Sequence, residues 1–378
     1  MVSLNRCLIK YFIIVIQFIG WPFQSFCQNY EPLVADYVKN VDHPYTFLKK
    51  IEELGLKESG TKGLDSTHAY LTRLINGLGY STQSQDFLNG PDTLRNIVFT
   101  KEGSSDSTII LCAHYDSKNG PGVNDNGTGD FALYELAKWL KPLKSKYSVT
   151  FIYFSGEELG FKGSEFFVEK IDKALLKIKF VLNMDQLGGT LGEDNSSVKC
   201  ERDEISSQKQ KSNEIARSLA KMYSLYTNLT PEITPAYSSD YIPFRDSGYI
   251  IAGIYQYSPF PYYHTSSDLL KYMEFNSLIS TVKGALAALI YFSEATIIKP
   301  EPEPIGLLNV YYHDKALFIT SSGMYSIRIF DGLGRQIFYE QNQASIKIIP
   351  LQKINEGIYF AYITSDSGAT CNKFLQEP

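Results

Sequence analysis

A stretch between a hydrophobic run and an amphipathic segment carries a histidine and two aspartates. In LCAHYDSKNGPGVNDNGTGDFALYELAKWL, His114 and Asp116 end the hydrophobic run, and Asp125 lies in the Gly/Asn-rich loop that follows. Each residue alone has an ordinary explanation, because aspartates favour turns and a lone histidine at a strand end is more often a packing or surface residue. Imidazole and carboxylate groups are also the ligands that zinc and similar divalent cations take from proteins. The three residues are therefore candidates for a metal site.

Four further residues of the same types follow other hydrophobic runs. Glu157 and Glu158 follow one run, Asp185 follows the next, and His264 lies in a later aromatic loop. A glutamate pair at a helix start is also favoured by the helix dipole, and the other two residues could serve in turns or in packing. Two imidazoles with several carboxylates and no cysteine nevertheless form a complete donor set. Two ions about 3.5–4 Å apart that share one carboxylate would use this many acids without mutual repulsion.

Buried strands that alternate with helices position these residues. The runs STIILCAH, SVTFIYFSG, IKFVLNMD and YIIAGIYQY predict strands, and amphipathic segments between them predict helices. This alternation predicts an α/β fold with a mixed, mostly parallel central sheet flanked by helices. Ligands bind at the carboxyl ends of the strands of such a sheet. We therefore expect all the candidate residues to meet at one edge.

The composition excludes some classes of function. The chain has 378 residues, 44% of them hydrophobic, so it is too apolar to be disordered. Its net charge of -5 and the absence of a Lys/Arg run argue against a nucleic-acid partner. Residues 1–27 combine a basic start with a short apolar core, which predicts a signal peptide cleaved near Cys27. That core is shorter than the ~20 residues of a membrane span, so we expect no stable membrane anchor.

The C-terminal part of the chain has a different pattern of hydrophobic and turn residues. KPEPEP, residues 299–304, predicts a linker, because alternating Pro and Glu suit neither a helix nor the interior of a sheet. Short alternating runs and the turn DGLGR then predict a small antiparallel β-sandwich over 305–378. The main domain accordingly spans 28–298.

The motifs together resemble a known family. AHYDS, PGVNDNGTG, FSGEELGFKGS, NMDQLGG, SSDYIPF and YYHTSSD are similar to those of the co-catalytic zinc aminopeptidases, which include aminopeptidase S, aminopeptidase Y and the bacterial leucyl aminopeptidase. The resemblance covers roughly residues 31–295. It implies a zinc exopeptidase-like fold, two zinc ions per chain, and peptide substrates with a free N-terminus.

The resemblance also assigns the metal ligands. It implies that one zinc is held by His114 and Asp185, that the other is held by Glu158 and His264, and that Asp125 bridges them.

Two further residues receive catalytic roles from the resemblance. Asp116 would orient the His114 imidazole, which fixes the tautomer and raises ligand basicity. Glu157 would be the general base that takes a proton from the activated water, while the adjacent Glu158 side chain diverges from it to ligate. One departure is that the family usually reads Ser-Asp-His where this chain has Ser-Asp-Tyr, at 239–241. Asp240, Tyr237 and Tyr241 therefore receive no catalytic role.

Two rival interpretations remain. HYDSK and SPFPYYHT also resemble glutaminyl-peptide cyclotransferase, a single-zinc enzyme that forms N-terminal pyroglutamate, but Tyr263 stands where that family has Trp. GVNDNGTG and GEELGFKGS favour the peptidases, and activating water calls for two metals where an attacking substrate amine needs one. A non-catalytic binding protein with this fold should have lost Glu157 or a ligand. This chain retains them all.

The C-terminal segment resembles the sorting domains of the type IX secretion system. The resemblance rests on IFDGLGR at 329–335, on Gly-Ile-Tyr at 357–359 and on Lys-Phe at 373–374. It implies the secretion machinery as a partner, export through the periplasm, and a final location that is secreted or at the cell surface. A carbohydrate- or protein-binding sandwich is the alternative, because a fold does not define a function.

Overall fold

The computed structural model describes residues 30–171, 176–297, 309–313, 316–320, 324–342, 346–351, 355–365 and 368–376. The chain divides into two compact units, Met1–Thr296 and Ile297–Pro378. The predicted signal peptide at 1–27 and the predicted linker at 299–304 lie outside the described residues.

The first unit is built on an eight-stranded mixed sheet. Its strands, in chain order, are β1 (Gln83–Asn89), β2 (Asp92–Lys101), β3 (Ser107–His114), β4 (Ser148–Phe154), β5 (Lys177–Met184), β6 (Ser197–Arg202), β7 (Thr230–Pro235) and β8 (Ile251–Gln256). The spatial order is β1-β2-β4-β3-β5-β8-β6-β7. Strands β4, β3, β5 and β8 run parallel, and the β1–β2 hairpin joins β4 antiparallel. The predicted α/β fold with a mixed, mostly parallel sheet is confirmed.

Helices cover this sheet. They are α1 (Pro32–Tyr37), α2 (Tyr45–Leu54), α3 (Lys62–Gly77), α4 (Gly127–Leu140), α5 (Lys162–Lys170), α6 (Lys209–Tyr226), α7 (Tyr241–Asp246) and α8 (Phe275–Phe292). Asn126 caps the N-terminus of α4, since its side chain accepts a hydrogen bond from the amide of Gly129. Among the described residues, α8 alone is long and apolar enough to cross a membrane, and it is mostly buried in this unit as a core helix is.

The parallel strands place the candidate residues at one edge. His114 is the last residue of β3, and Asp185 directly follows β5. A short 3₁₀ turn, Glu157–Leu159, follows β4, and the loop that carries His264 follows β8. Since parallel strands end at the same edge, the loops that follow them converge there.

The second unit contains two antiparallel sheets. Their strands are β9 (Asn309–His313), β10 (Ala316–Thr320), β11 (Tyr325–Asp331), β12 (Gln336–Asn342), β13 (Ile346–Pro350), β14 (Gly357–Ser365) and β15 (Gly368–Gln376). The sheet orders are β13-β10-β9 and β12-β11-β14-β15. Side chains of both sheets, among them Leu317, Ile327 and Ile363, share one buried core. The predicted antiparallel sandwich is confirmed.

Candidate active site

Residues of three loops surround the imidazole of His114, which is buried at the end of β3. Its Nδ1 lies 3.2 Å from the backbone carbonyl oxygen of Asp116 and 3.6 Å from Oδ1 of the same residue. Its Nε2 lies 3.4 Å from Oδ1 of Asp125 and 3.6 Å from Oδ1 of Asp185. Contact with Asp116 through Nδ1 leaves Nε2 directed at the carboxylates, which suits a metal ligand.

The two adjacent glutamates point to different partners. Gly156 precedes them with a φ of 79°, and a Cβ there would meet Cδ1 of Leu94 at 2.9 Å, so this tight turn favours glycine. Oε2 of Glu158 lies 2.8 Å from Nε2 of His264. Oε2 of Glu157 lies 4.0 Å from Nε2 of His114. The divergence expected of consecutive side chains is present.

The carboxylate of Asp125 lies between the two imidazoles. Its Oδ1 is 3.4 Å from Nε2 of His114, and its Oδ2 is 3.3 Å from Nε2 of His264. Burial opposes ionisation of this carboxyl group, but hydrogen bonds from both histidines hold its pKa at about 2. One carboxylate with an oxygen toward each histidine can bridge two ions.

Two groups of potential metal ligands result. One comprises His114, Glu157 and Asp185, and the other comprises Asp125, Glu158 and His264, with the ligand atoms of each group within 4.8 Å of one another. The structure thus brings together every residue that the sequence analysis singled out for metal binding. Glu157, which the sequence analysis assigned as a base, stands within the first group.

Two observations indicate that these two groups of side chains are suited to bind zinc. Oε1 of Glu158 and Oδ1 of Asp185 are buried and have no hydrogen-bond partner, which is costly for a carboxylate unless a cation is present. Burial and neighbouring carboxylates also raise the pKa of Glu158 to about 8 and that of Glu157 well above its usual range. Bound cations would balance such a concentration of buried acids, and imidazole and carboxylate ligands match zinc.

Asp116 has a second contact that the sequence did not indicate. Its Oδ1 accepts the amide hydrogen of Glu157 at 3.2 Å, and its Oδ2 accepts that of Glu158 at 3.1 Å. The Asp116 side chain therefore holds the backbone of the glutamate pair, while the backbone carbonyl of the same residue contacts the His114 ring.

Several polar residues around the site were missed by the sequence analysis. The hydroxyl of Ser239 donates to Oδ2 of Asp185 at 2.7 Å. The side chain of Asn124 joins the loop before α4 to Gly188 and to Gln256. Asp268 accepts two backbone amides of the same loop. These residues stand in or beside the quoted motifs, but their types alone are equally typical of turns.

The departure from the family pattern has a structural consequence. The hydroxyl of the buried Tyr241 donates to Oε2 of Glu201 at 2.8 Å and accepts the backbone amide of Tyr237 at 2.8 Å. Asp240 is buried, and its Oδ1 accepts a hydrogen bond from the hydroxyl of Ser164. The hydroxyl hydrogen of Tyr241 is thus engaged with Glu201.

Comparison with known proteins agrees with this architecture. The profile of peptidase family M28 matches residues 96–289, just over half of the chain, and the chain belongs to this family. The profile of the secretion system C-terminal sorting domain matches residues 311–377. The resemblances of both parts of the chain are confirmed.

Individual relatives agree with the family assignment. Leucine aminopeptidase 2 of Trichophyton equinum is 40% identical over 94 residues, which are 24% of this chain and 19% of that protein. The chain therefore spans only about a fifth of the length of these curated leucine aminopeptidases.

Solved structures show the same fold. The Legionella pneumophila LapA aminopeptidase has a TM-score of 0.61 at 20% identity, covering 70% of this chain and 76% of that one. Porphyromonas gingivalis glutaminyl cyclase has a TM-score of 0.58 at 19% identity, covering 67% and 98%. Because both kinds of enzyme share the fold, the fold does not choose between their reactions.

Proposed function

We propose that this chain is a zinc-dependent aminopeptidase that removes the N-terminal residue of peptides. The observation that carries the proposal is the position of Asp125, whose oxygens face His114 and His264 at 3.4 and 3.3 Å. A single metal would need only one side of this carboxylate. Ligand groups on both sides of it support a pair of ions.

Five residues would hold the two zinc ions. His114 and Asp185 would bind one, Glu158 and His264 would bind the other, and Asp125 would bridge them. Bound there, zinc would polarise the scissile carbonyl and lower the pKa of the attacking water.

Glu157 is the proposed general base. Its Oε2 lies 4.0 Å from Nε2 of His114, and its side chain is 12% exposed, so it stands beside the proposed metal site with some access to solvent. A carboxylate in this position would accept the proton of the attacking water and pass it to the leaving amine. Asp116 supports this role, because its carboxylate accepts the amide hydrogen of Glu157 and so fixes the backbone from which the Glu157 side chain extends.

Export is the second part of the proposal. Residues 311–377 match a secretion system sorting domain, and residues 1–27 read as a signal peptide. The chain would cross the inner membrane, reach the periplasm, and leave through a secretion machinery that recognises the C-terminal domain. The enzyme would then act outside the cell or on its surface.

A panel of aminoacyl anilides tests the proposed reaction. The purified chain should release the chromogenic amine from substrates with a free α-amine and not from the same substrates after N-acetylation. A glutaminyl peptide is assayed in parallel for cyclisation. Cleavage of the acetylated substrates would contradict an aminopeptidase that requires a free α-amine, and cyclisation without anilide cleavage would favour the single-zinc alternative.

A further inference from the structure

Each histidine-bearing loop carries a buried aspartate that accepts two consecutive backbone amides from another loop. Asp116, two residues after His114, accepts the amides of Glu157 and Glu158. Asp268, four residues after His264, does the same on a different loop. In both cases the second amide belongs to a proposed metal ligand.

The contact of Asp268 is short and fully buried. Its Oδ1 accepts the amide hydrogen of Asn124 at 2.7 Å, and its Oδ2 accepts that of Asp125 at 3.0 Å. The residue is only 1% exposed, so water does not compete for these bonds.

The same loop is fixed from its other side by Asn124. Oδ1 of Asn124 accepts the amide of Gly188 at 3.1 Å, and its Nδ2 donates to Oε1 of Gln256 at 3.0 Å. These contacts join the Asp125 loop to the segment after β5 and to the end of β8. Asp268 supplies the corresponding connection to the loop of His264.

We propose that Asp268 is a positioning residue for the bridging carboxylate. It fixes the backbone of Asp125 so that one oxygen faces His114 and the other faces His264. A shift of this backbone moves both oxygens together, whereas metal–ligand distances tolerate only about ±0.2 Å. The inference rests on the proposed two-zinc site and adds to it a residue that touches neither metal nor substrate.

Zinc affinity of the full-length chain distinguishes positioning from a purely structural role. Asp268→Asn keeps the size of the side chain but presents an NH₂ group to one of the two amides. The metal-free variant is titrated with zinc against a chromogenic chelator. Because Asp125 contributes to both sites, we expect both affinities to fall, on the order of 10–100-fold as for other groups that support ligands.

Asp203→Asn is the matched control. Asp203 is also 1% exposed, and its Oδ1 accepts the amides of Ile205 and Ser206 at 2.9 and 3.1 Å in the turn before α6. This variant should lose thermal stability in the metal-free state and keep wild-type zinc affinity. Asp268→Asn should lose zinc affinity beyond any such change in stability.

Each outcome separates the inference from the proposed function. Zinc binding by Asp268→Asn that equals wild type would overturn the inference and leave the two-zinc site intact. A wild-type chain that binds no zinc would overturn the proposed function itself.

If circular dichroism shows that Asp268→Asn does not fold, Asp268→Glu is measured in its place. This variant keeps the charge on a side chain one methylene longer, and weaker zinc binding is again expected, with wild-type affinity as the contrary result.

Discussion

The hydroxyl of Ser239 donates a 2.7 Å hydrogen bond to Oδ2 of Asp185. The hydroxyl itself accepts a hydrogen bond from the side-chain amide of Asn183 at 2.9 Å, so its own hydrogen is directed at the carboxylate. This bond occupies one oxygen of Asp185 and leaves Oδ1 facing His114 without a hydrogen-bond partner. A carboxylate held in this way presents one defined oxygen to a metal.

Ser239→Ala should therefore weaken zinc binding at the His114 side of the site. We expect a loss on the order of 10-fold in affinity, because supporting hydrogen bonds of metal ligands contribute 10–100-fold. The measurement is a zinc titration of the metal-free chain. Ser224→Ala is a suitable control, since that hydroxyl only bonds the preceding turn of α6. Equal zinc affinity in Ser239→Ala and wild type would show that Ser239 does not orient Asp185.

Substitution of Glu157, the proposed general base, tests the proposed chemistry. Glu157→Gln should keep fold and zinc content but lose activity by about 10²–10⁴-fold, because a carboxamide cannot accept the proton of water. The assay is steady-state hydrolysis of an aminoacyl anilide with zinc quantified in the same sample. Glu165→Gln, at a half-exposed position of α5, should remain fully active. Near wild-type turnover in Glu157→Gln would refute the assignment of the base.

The sequence predicted the strands that end at the site, since β3, β4, β5 and β8 are hydrophobic runs. It did not predict β1, β2, β6 or β7, whose burial is mixed. Strands at the margins of a sheet carry a weak hydrophobic signal, because only part of each is covered.

The residues of the candidate site were likewise predicted only in part from the sequence. Its candidate ligands could be named because histidine and acidic side chains at strand ends form a recognisable donor set. Asp268 and Ser239 could not be assigned roles, because their contacts join segments far apart in the chain. Such contacts depend on how the loops fold back on each other, and residue type does not reveal this.

Glu201 predicts a pH dependence of stability. Burial raises its pKa to about 7 from an ordinary 4.5, although the hydrogen bond from Tyr241 opposes the shift. A raised pKa in the folded state contributes stability that is present below pH 4.5 and is lost as pH rises through 7. Between pH 5 and pH 8 the wild type should therefore lose on the order of 1–3 kcal/mol more than Glu201→Gln.

Urea unfolding of both metal-free chains at the two pH values measures this difference. Fluorescence of Trp139 reports on the first unit, in which that residue lies. Comparing the change with pH within each chain cancels the cost of the substitution itself. An identical pH dependence in the two chains would show that Glu201 does not titrate in this range.

The C-terminal unit should be dispensable for catalysis. A chain that ends at residue 304 retains the whole first unit, Met1–Thr296, which contains all the candidate site residues. It should hydrolyse aminoacyl anilides at the full-length rate in vitro, yet accumulate in the periplasm of its native host. Cell fractionation beside the full-length chain is the measurement. Normal secretion of the shortened chain, or its failure to fold, would argue against a sorting role.

Metal content measured together with reaction type tests the central claim most directly. The purified chain is analysed for zinc per chain, and the same sample is assayed for anilide hydrolysis and for cyclisation of N-terminal glutamine. We predict about two zinc ions per chain, hydrolysis that a chelator abolishes and zinc restores, and no cyclisation. One zinc ion per chain, with cyclisation in place of hydrolysis, would contradict the account.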